Sequence, residues 1–486
     1  MFDDVAIFPD EAEVVESGRG ADGLAGVTGM EGILMSGNPL QELRKALTAG
    51  YGTDPAGQTG GGAFRIESLE STLKVLTFNE QSTTLANDLL KDKKVAESTV
   101  EEYSTLDDIS EAFTYAEAGL PAQEDDSYSR KYELVKYIGA VGTVSNVILR
   151  TKNIVSAREA EVKRKMLAMK RKLNLVSYFG NASLVTTEFN GFLTAVQNAN
   201  LPDNIVDLRG KRPTLENFNQ GVNVIEDVAG HAFNLRVYMS TRAARNYKNE
   251  LLKDKRYLVG EMKAEVEGLK AGRIVHDDGE MPIKKDIFLN PRKHPRMNLA
   301  KTTFIATGDK APLTPTVTSV VVGADATSQI DAGTYDYAVV AINQYGHKSA
   351  PIATGDLLAV AVTSAEKVTF DIADGGSASG QEATAFELYR RTAGGANTDY
   401  EYVWTFAAGA TFVDNGAYLP GTGCMFLMEW DTDQVAAYHQ LLDASIFPLG
   451  AVADAVRWLQ RLYGTLLVYN AKKIVVFKNV GDTPNA

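Results

Sequence analysis

Residues 311 to 423 read as an all-β module set inside a chain of a different kind. Gly, Thr, Ala and Val dominate there, and short strand-like runs alternate with turn residues. Seven such runs are counted: Val317–Val322, Tyr335–Asn343, Leu358–Thr363, Val368–Ile372, Phe386–Arg391, Tyr402–Phe406 and Thr411–Asp414. Strands at this spacing predict a β-sandwich. Before the module the pattern is helical and mixed, and from Met425 a helix-and-strand pattern resumes to the end. A module flanked on both sides by scaffold sequence is an insertion that decorates a finished body. The overall prediction is therefore an α+β fold carrying an all-β insertion.

At 486 residues the chain exceeds the size at which single cores stop growing, so more than one domain is expected. The formal charge of −13 argues against non-specific grip on nucleic acid by the whole surface. Cys424 is the single cysteine, so no intrachain disulfide forms and a reducing compartment is expected. The first basic residue is Arg19, so the charged start of a secretory signal is missing. No apolar run approaches the ~20 residues of a membrane span. These features predict a soluble protein made inside a cell.

The amino-terminal third lacks a core of its own. Residues 1 to 32 hold eight acids against Arg19 alone and read as a solvated tail. A helix capped by Asn38 and closed by Gly50 carries Leu40, Leu43 and Leu47. A second carries Ile66, Leu69, Leu73 and Leu76, and a short third carries Leu85 and Leu89. Their apolar stripes are narrow, so they must lie along a larger body in this chain or a neighbour. Residues 93–106 and 130–145 then read as strands of a long hairpin. Its connection, Asp107 to Ser129, holds seven acids and no base. Such a hairpin is apolar on both faces and makes sense packed on another subunit; an ordinary surface hairpin fits the segment as well.

The strongest helix runs from about Ser156 to Phe179, with Val162, Met166, Met169, Leu173 and Val176 on one stripe and Gly180-Asn181 at its end. Two basic triplets, Lys163-Arg164-Lys165 and Lys170-Arg171-Lys172, occupy its polar side. Plain solvation accounts for them, with an acidic or nucleic-acid partner as the alternative. Further on, a helix over 215–228, a strand over 236–239 and a helix capped by Ser240 are expected. After the module, Val452, Val456, Leu459 and Tyr463 predict a helix ended by Gly464. Strands at Leu466–Tyr469 and Ile474–Phe477 close the chain.

No catalytic, cofactor-binding or metal-binding constellation is legible. His231, His276, His294, His347 and His439 stand in no ligand spacing with one another or with Cys424. The run His276-Asp277-Asp278-Gly279-Glu280 reads as a polar turn. Gly60-Gly61-Gly62 lacks the strand and Lys-Ser/Thr of a phosphate loop, and there is no nucleophile elbow.

The order of parts resembles a tailed-phage major capsid protein of the Hong Kong 97 type, closest to those of Twort-like large myophages with an immunoglobulin-like insertion. Leu47-Thr-Ala-Gly-Tyr-Gly-Thr-Asp-Pro, Ser177-Tyr-Phe-Gly-Asn-Ala-Ser, Phe447-Pro-Leu-Gly-Ala-Val-Ala-Asp-Ala and Lys472 to Val480 carry the likeness. Within the module, Tyr335-Asp-Tyr-Ala-Val-Val-Ala-Ile-Asn, then Gly346, Ser349 and Pro351, resembles the fibronectin type III pattern. The resemblance implies a tail and arm at 1–92, an E-loop hairpin at 93–150 and a P-domain with its spine helix at 151–230. It implies an A-domain at 231–310, an immunoglobulin-like insertion at 311–424 and closing segments at 425–486. It implies a structural, non-enzymatic subunit without cofactor. Copies would assemble in the host cytoplasm into hexamers and pentamers of a virion shell around double-stranded DNA, with scaffold, portal and decoration proteins as partners and no membrane. The loop 107–129 departs from some relatives in holding no lysine to donate to a crosslink. The resemblance also implies that Glu124, Asp125 and Asp126 face Lys170, Arg171 or Lys172 of a neighbour, or else that the triplets face DNA. An encapsulin-type compartment and a sandwich-bearing adhesion protein are the rival readings.

Overall fold

A computed structural model describes residues 82–108, 127–151, 156–229, 231–254, 273–276, 279–290, 311–376, 382–409, 411–450 and 454–484, with a few isolated positions between them. The acidic stretch 1–32 and the first two expected helices lie outside the described residues.

The body is a three-layer arrangement around a six-stranded sheet. Its strands are β5 (Ile205–Asp207), β6 (Leu235–Met239), β7 (Arg273–His276), β8 (Gly279–Lys285), β16 (Gly423–Glu429) and β19 (Ile474–Val480), in the order β5-β19-β16-β6-β8-β7. Alternation along the strands divides two cores. Val237, Leu427, Val475 and Phe477 face α5 (Leu215–Ala229) and α6 (Thr241–Asp254), meeting Phe218, Val222 and Tyr247. Tyr238, Phe426, Met428 and Val476 face the opposite side. There they meet the long helix α3 (Ala157–Phe179), the short α4 (Phe192–Asn198) and α1 (Thr84–Lys91). Leu85 and Leu89 of α1 are buried against Leu173 and Val176 of α3, so the narrow-striped third helix does lie along a larger body.

Helix α3 has 23 residues, ~34 Å at 1.5 Å per residue. The Ser156 hydroxyl accepts from the Glu159 amide at its start, in the Ser-x-x-Glu spacing of a capping box. Gly180 closes it because a Cβ there would sit 2.3 Å from the Phe189 carbonyl oxygen, closer than any side chain tolerates.

A second sheet lies across α3, in the order β1-β17-β18-β4: β1 (Lys94–Val95), β17 (Ala436–Leu449), β18 (Ala455–Val468) and β4 (Lys136–Ser145). The helix expected around Val452 to Tyr463 is instead the 14-residue strand β18. Its 4-3-4 apolar spacing satisfies a helix, but Trp458, Gln460, Leu462 and Gly464 also alternate, and those residues are the buried ones. Pairing with β4 and β17 along nearly its whole length decides the matter. Gly464 ends no helix; it leaves room for the Tyr438 ring.

The expected hairpin strands are each broken once. Residues 93–106 divide into β1, parallel to β17, and β2 (Val100–Asp108). Residues 130–145 divide at buried Val135 into β3 (Ser127–Leu134) and β4. Strands β2 and β3 form the free hairpin, while β4 joins the sheet.

All seven strands of the inserted module are present: β9 (Thr316–Ala324), β10 (Gly333–Asn343), β11 (Val360–Val362), β12 (Glu366–Ala373), β13 (Ala383–Thr392), β14 (Glu401–Ala407) and β15 (Phe412–Asp414). They form two sheets, β11-β10-β13-β14 and β15-β12-β9, around a core of Tyr337, Val339, Val368, Phe370, Phe386 and Leu388. The sandwich is also buttressed by the body. Val185, in the loop after α3, shares a small core with Ile342 and Ala385, and the Thr384 hydroxyl donates to the Leu184 carbonyl at 2.7 Å.

Gly142 of β4 lies opposite Trp458 of β18, and a Cβ on it would fall 2.4 Å from the indole. Gly142→Ala is expected to destabilise the subunit by about 1–3 kcal/mol through overpacking. Denaturant melts of Gly142→Ala, Trp458→Ala and the double variant test this. In the Trp458→Ala background the Gly142→Ala cost should fall towards zero, and additive costs would exclude the contact.

Candidate interaction surface

The sheet over α3 has one buried and one open face. Trp458, Leu462 and Leu466 are buried on the helix side, where the Gln460 side-chain amide donates to the Val162 carbonyl at 3.0 Å. The opposite face carries Tyr137, Val141, Leu459, Tyr463 and Phe447. Tyr137 is 60% exposed and packs edge-on against Tyr463, 4.7 Å between ring centres. The Arg461 guanidinium lies 5.0 Å from the Phe447 ring and 5.8 Å from that of Tyr463. Exposed apolar residues continue at the far end of the sheet on the short α2 (Asn146–Arg150), none of whose residues is buried.

The β2–β3 hairpin repeats this division. Its odd-numbered residues hold it to the body. The Tyr103 hydroxyl donates to the Val468 carbonyl at 2.9 Å, and its ring stands edge-on to Tyr469 at 5.1 Å. The Asn190 amide donates to the Glu133 carboxylate at 2.9 Å. Burial raises the Glu133 carboxyl above its usual range, against the lowering effect of that hydrogen bond and of Lys136. The even-numbered residues turn outward: Leu106 pairs with Tyr128 and Glu102 with Tyr132 across the strands, and the two tyrosines are 70% and 65% exposed. The ribbon thus has one face latched to the body and an aromatic face open, the kind of exposed apolar patch that marks interaction sites. Tyr and Arg are the residues enriched where proteins meet.

His439 sits at the latch. Its Nδ1 is 3.0 Å from Glu101 of β2 and its Nε2 is 2.8 Å from the Tyr469 hydroxyl. Burial pulls the imidazole below its ordinary range, Glu101 pulls it up, and Lys94, itself 2.8 Å from Asp433, adds to the lowering. Nothing local in the sequence marks this residue, because its partner Glu101 lies 338 positions away.

The other sequence candidates do not converge. His231 lies exposed against the Phe233 ring, and His347 lies in the turn after β10. His294 and Glu124 to Asp126 lie outside the described residues. Of the basic triplets, Arg164 and Lys165 reach Glu161, and Lys172 engages buried Glu188 of the same chain. That face is thus partly satisfied within the subunit. Among the described residues no three His, Cys, Asp or Glu side chains gather as metal ligands, and no helix is long and apolar enough to cross a membrane. Cys424 borders an apolar cavity of about 100 Å³ between sandwich and body, where burial pushes its thiol up to about 12. The cavity is well under the ~300 Å³ at which ligand pockets begin, and the thiol stays protonated at neutral pH.

Broad aromatic faces on an extended sheet and hairpin are the main surface feature of the described residues. No family model matches the chain. It is 22% identical over 465 residues to the major capsid protein of Staphylococcus phage K, covering 90% of this chain and 95% of that one. The same figures hold for the major capsid protein of Staphylococcus phage S25-3. The chain is thus similar to phage major capsid proteins over nine-tenths of its length. Among solved structures, the capsid of a native GTA particle superposes with a TM-score of 0.43 at 11% identity, covering 88% of this chain and 99% of that one. The holo-SrpI encapsulin complex from Synechococcus elongatus superposes with a TM-score of 0.40 at 10% identity, covering 85% and 93%. Likenesses of that order leave the assignment to the sequence match.

The latch sets a pH dependence. An unfolded imidazole takes up its proton near 6.5, while the folded His439 ring resists it. The unfolded state therefore binds more protons as pH falls through and below that value, and the latch loses stability on acidification. Amide exchange at residues 101–105, corrected for intrinsic rates, should quicken between pH 7.5 and 5.5. His439→Gln should flatten that change, and an unaltered pH response in the variant would remove His439 from the latch.

Proposed function

We propose that the protein is the major capsid protein of a tailed bacteriophage, whose copies build the icosahedral head shell around double-stranded DNA. The observation that carries this is the nearly end-to-end match to proteins of that name. The physics of the surface supports it. The hairpin and the outer face of the β4–β18–β17 ribbon present aromatic rings that a solitary subunit would leave in water. Neighbouring copies would cover them. A chain of net charge −13 would not grip the DNA it encloses.

On this reading residues 93–150 supply the E-loop, 151–230 the P-domain with its spine helix and 231–310 the A-domain, and 425–486 close the A- and P-domains. Residues 311–424 form a displayed sandwich of immunoglobulin or fibronectin type III kind. The subunit has a structural role without enzymatic activity, assembles in the host cytoplasm and resides in the virion. Scaffold, portal and decoration proteins are its expected partners.

Electron microscopy of the purified protein is the direct test. Closed icosahedral shells are expected from the wild type. Tyr132→Asp should leave the subunit's melting within about 0.5 kcal/mol of wild type, as for other exposed substitutions, while sharply reducing shell yield. Dispersed subunits under all conditions, or shells from Tyr132→Asp as plentiful as from wild type, would count respectively against the capsid role and against the hairpin face.

A further inference from the structure

The sandwich has four sheet edges, and three are protected. Strands β11 and β15 are three residues each, too short to template another strand. Strand β14 is covered by the connection to β16, where the Tyr418 ring stacks on Trp404 with centres 4.1 Å apart. Strand β9 is different, although the turn Gly355–Leu357 passes close to it. It has nine residues, Thr-Val-Thr-Ser-Val-Val-Val-Gly-Ala, with no charge, no proline and a run of three valines. It pairs with β12 on one side only, and among the described residues no other backbone hydrogen bond reaches it. A bulge near Thr318 leaves 319–324 as a regular stretch against 366–371. Val317, Val320 and Val322 turn into the sandwich core, while Val321 is 55% exposed. A long, neutral, β-branched edge offers a row of unpaired amides and carbonyls to another strand.

We propose that β9 pairs edge to edge with β9 of a second copy, antiparallel, so that two three-stranded sheets become one of six. The charge pattern selects this occupant. Self-pairing across a two-fold sets the strand against itself, so any charge on it would meet its like or sit near it, which destabilises a sheet. A chain of net −13 carries no charge along these nine residues, whereas the adjacent β12 holds Glu366, Lys367 and Asp371. A strand shaped for a foreign partner would gain from complementary charges, and β9 has none to offer. The outward residues Ser319, Val321 and Gly323 are small enough for the joined sheet to continue without a clash. Thr316 comes opposite Ala324, which places Asp325 at opposite ends of the pair. The inference rests on the shell reading only for the supply of many adjacent copies.

Full-length variants Ser319→Cys and Val321→Cys, each keeping the natural Cys424, and a mixture of the two test it, beside wild type and the exposed-turn control Ala396→Cys. In this register residue 319 of one copy stands opposite 321 of the other, ~4.5–5.5 Å apart at Cα and inside disulfide range in the mixture, while 319 and 321 are each diagonal to their own counterparts. Diagonal neighbours at ~7–8 Å are bridged by a short bismaleimide. At least one of the three should give covalent dimers about tenfold above the control. Adding Val321→Lys to Ser319→Cys should abolish them. Dimers no more abundant than in the control in all three samples, or cross-linking undiminished by Val321→Lys, would overturn the pairing. Cross-linking is read on the protein in solution, separately from microscopy. Shells without cross-links thus defeat this inference and leave the capsid reading standing, and cross-links without shells do the reverse.

Discussion

One buried carboxylate joins the parts of this body. Asp286, with no exposed surface, follows β8 and reaches across to α3. Its oxygens accept from the Asn174 side chain at 2.9 Å, the Phe288 amide at 2.9 Å and the Tyr178 hydroxyl at 3.3 Å. Asn174, itself fully buried, turns its carbonyl the other way and accepts from the Ala86 amide of α1 at 3.0 Å. The central sheet, the long helix and the helix that leads in from the amino-terminal region thus meet in one network. Burial raises the Asp286 carboxyl, and the donors around it pull the other way. A buried polar group left short of a partner costs about 1–3 kcal/mol. The network therefore fixes the rotation of α3 in a way that Leu173 and Val176, which would pack acceptably after a small slide, cannot.

Once α3 is fixed, the sheet laid over it is oriented, and so is the face it turns outward. This explains why the exposed aromatic residues of this face are strand residues. A strand buries alternate positions, so a ribbon with its even set on the helix must present its odd set to whatever lies outside. Tyr137 and Tyr463 are outward because Leu462 and Ile138 are inward. The hairpin obeys the same rule about its own latch, with Tyr103 inward and Tyr128 and Tyr132 outward. Stability of the subunit and readiness to associate are two sides of the same alternation.

Much of this was legible in the sequence. The α3 stripe of Val162, Met166, Met169, Leu173 and Val176 is long enough that no strand pattern competes with it. The seven sandwich strands are separated by turn residues and are rich in Val, Tyr and Phe. The β18 segment defeated the same reasoning, because a two-sided strand fills both parities and a filled pattern also satisfies a helical spacing. Strand β17, with Phe447 and Pro448 within it, drew no strand reading at all. The hairpin's open face was legible as apolar residues with no core to join. Its latch was not, since Glu101–His439 and Tyr103–Val468 are pairs that only the folded chain brings together. The acidic tip residues Glu124 to Asp126 remain an expectation outside the described residues.

The insertion point follows from strand order. Strand β8 runs parallel to β6 and β16 runs antiparallel to it, on opposite sides. Lys285, the last residue of β8, pairs with Met239, and Phe426 of β16 pairs with Tyr238. The chain therefore leaves the sheet and returns to it at the same end, two strand spacings apart, or about 10 Å. A connection between points so close grows in cost only logarithmically with its length. A whole domain can occupy it without disturbing the sheet. The buttress of Val185 against Ile342 and Ala385 adds what a mere tether would lack: it holds the sandwich at one bearing to the end of α3. An edge strand on a freely swinging domain would find partners at random. On a sandwich held in this way, β9 presents its open edge in one direction relative to the body, the condition under which a weak, neutral edge can select one partner geometry.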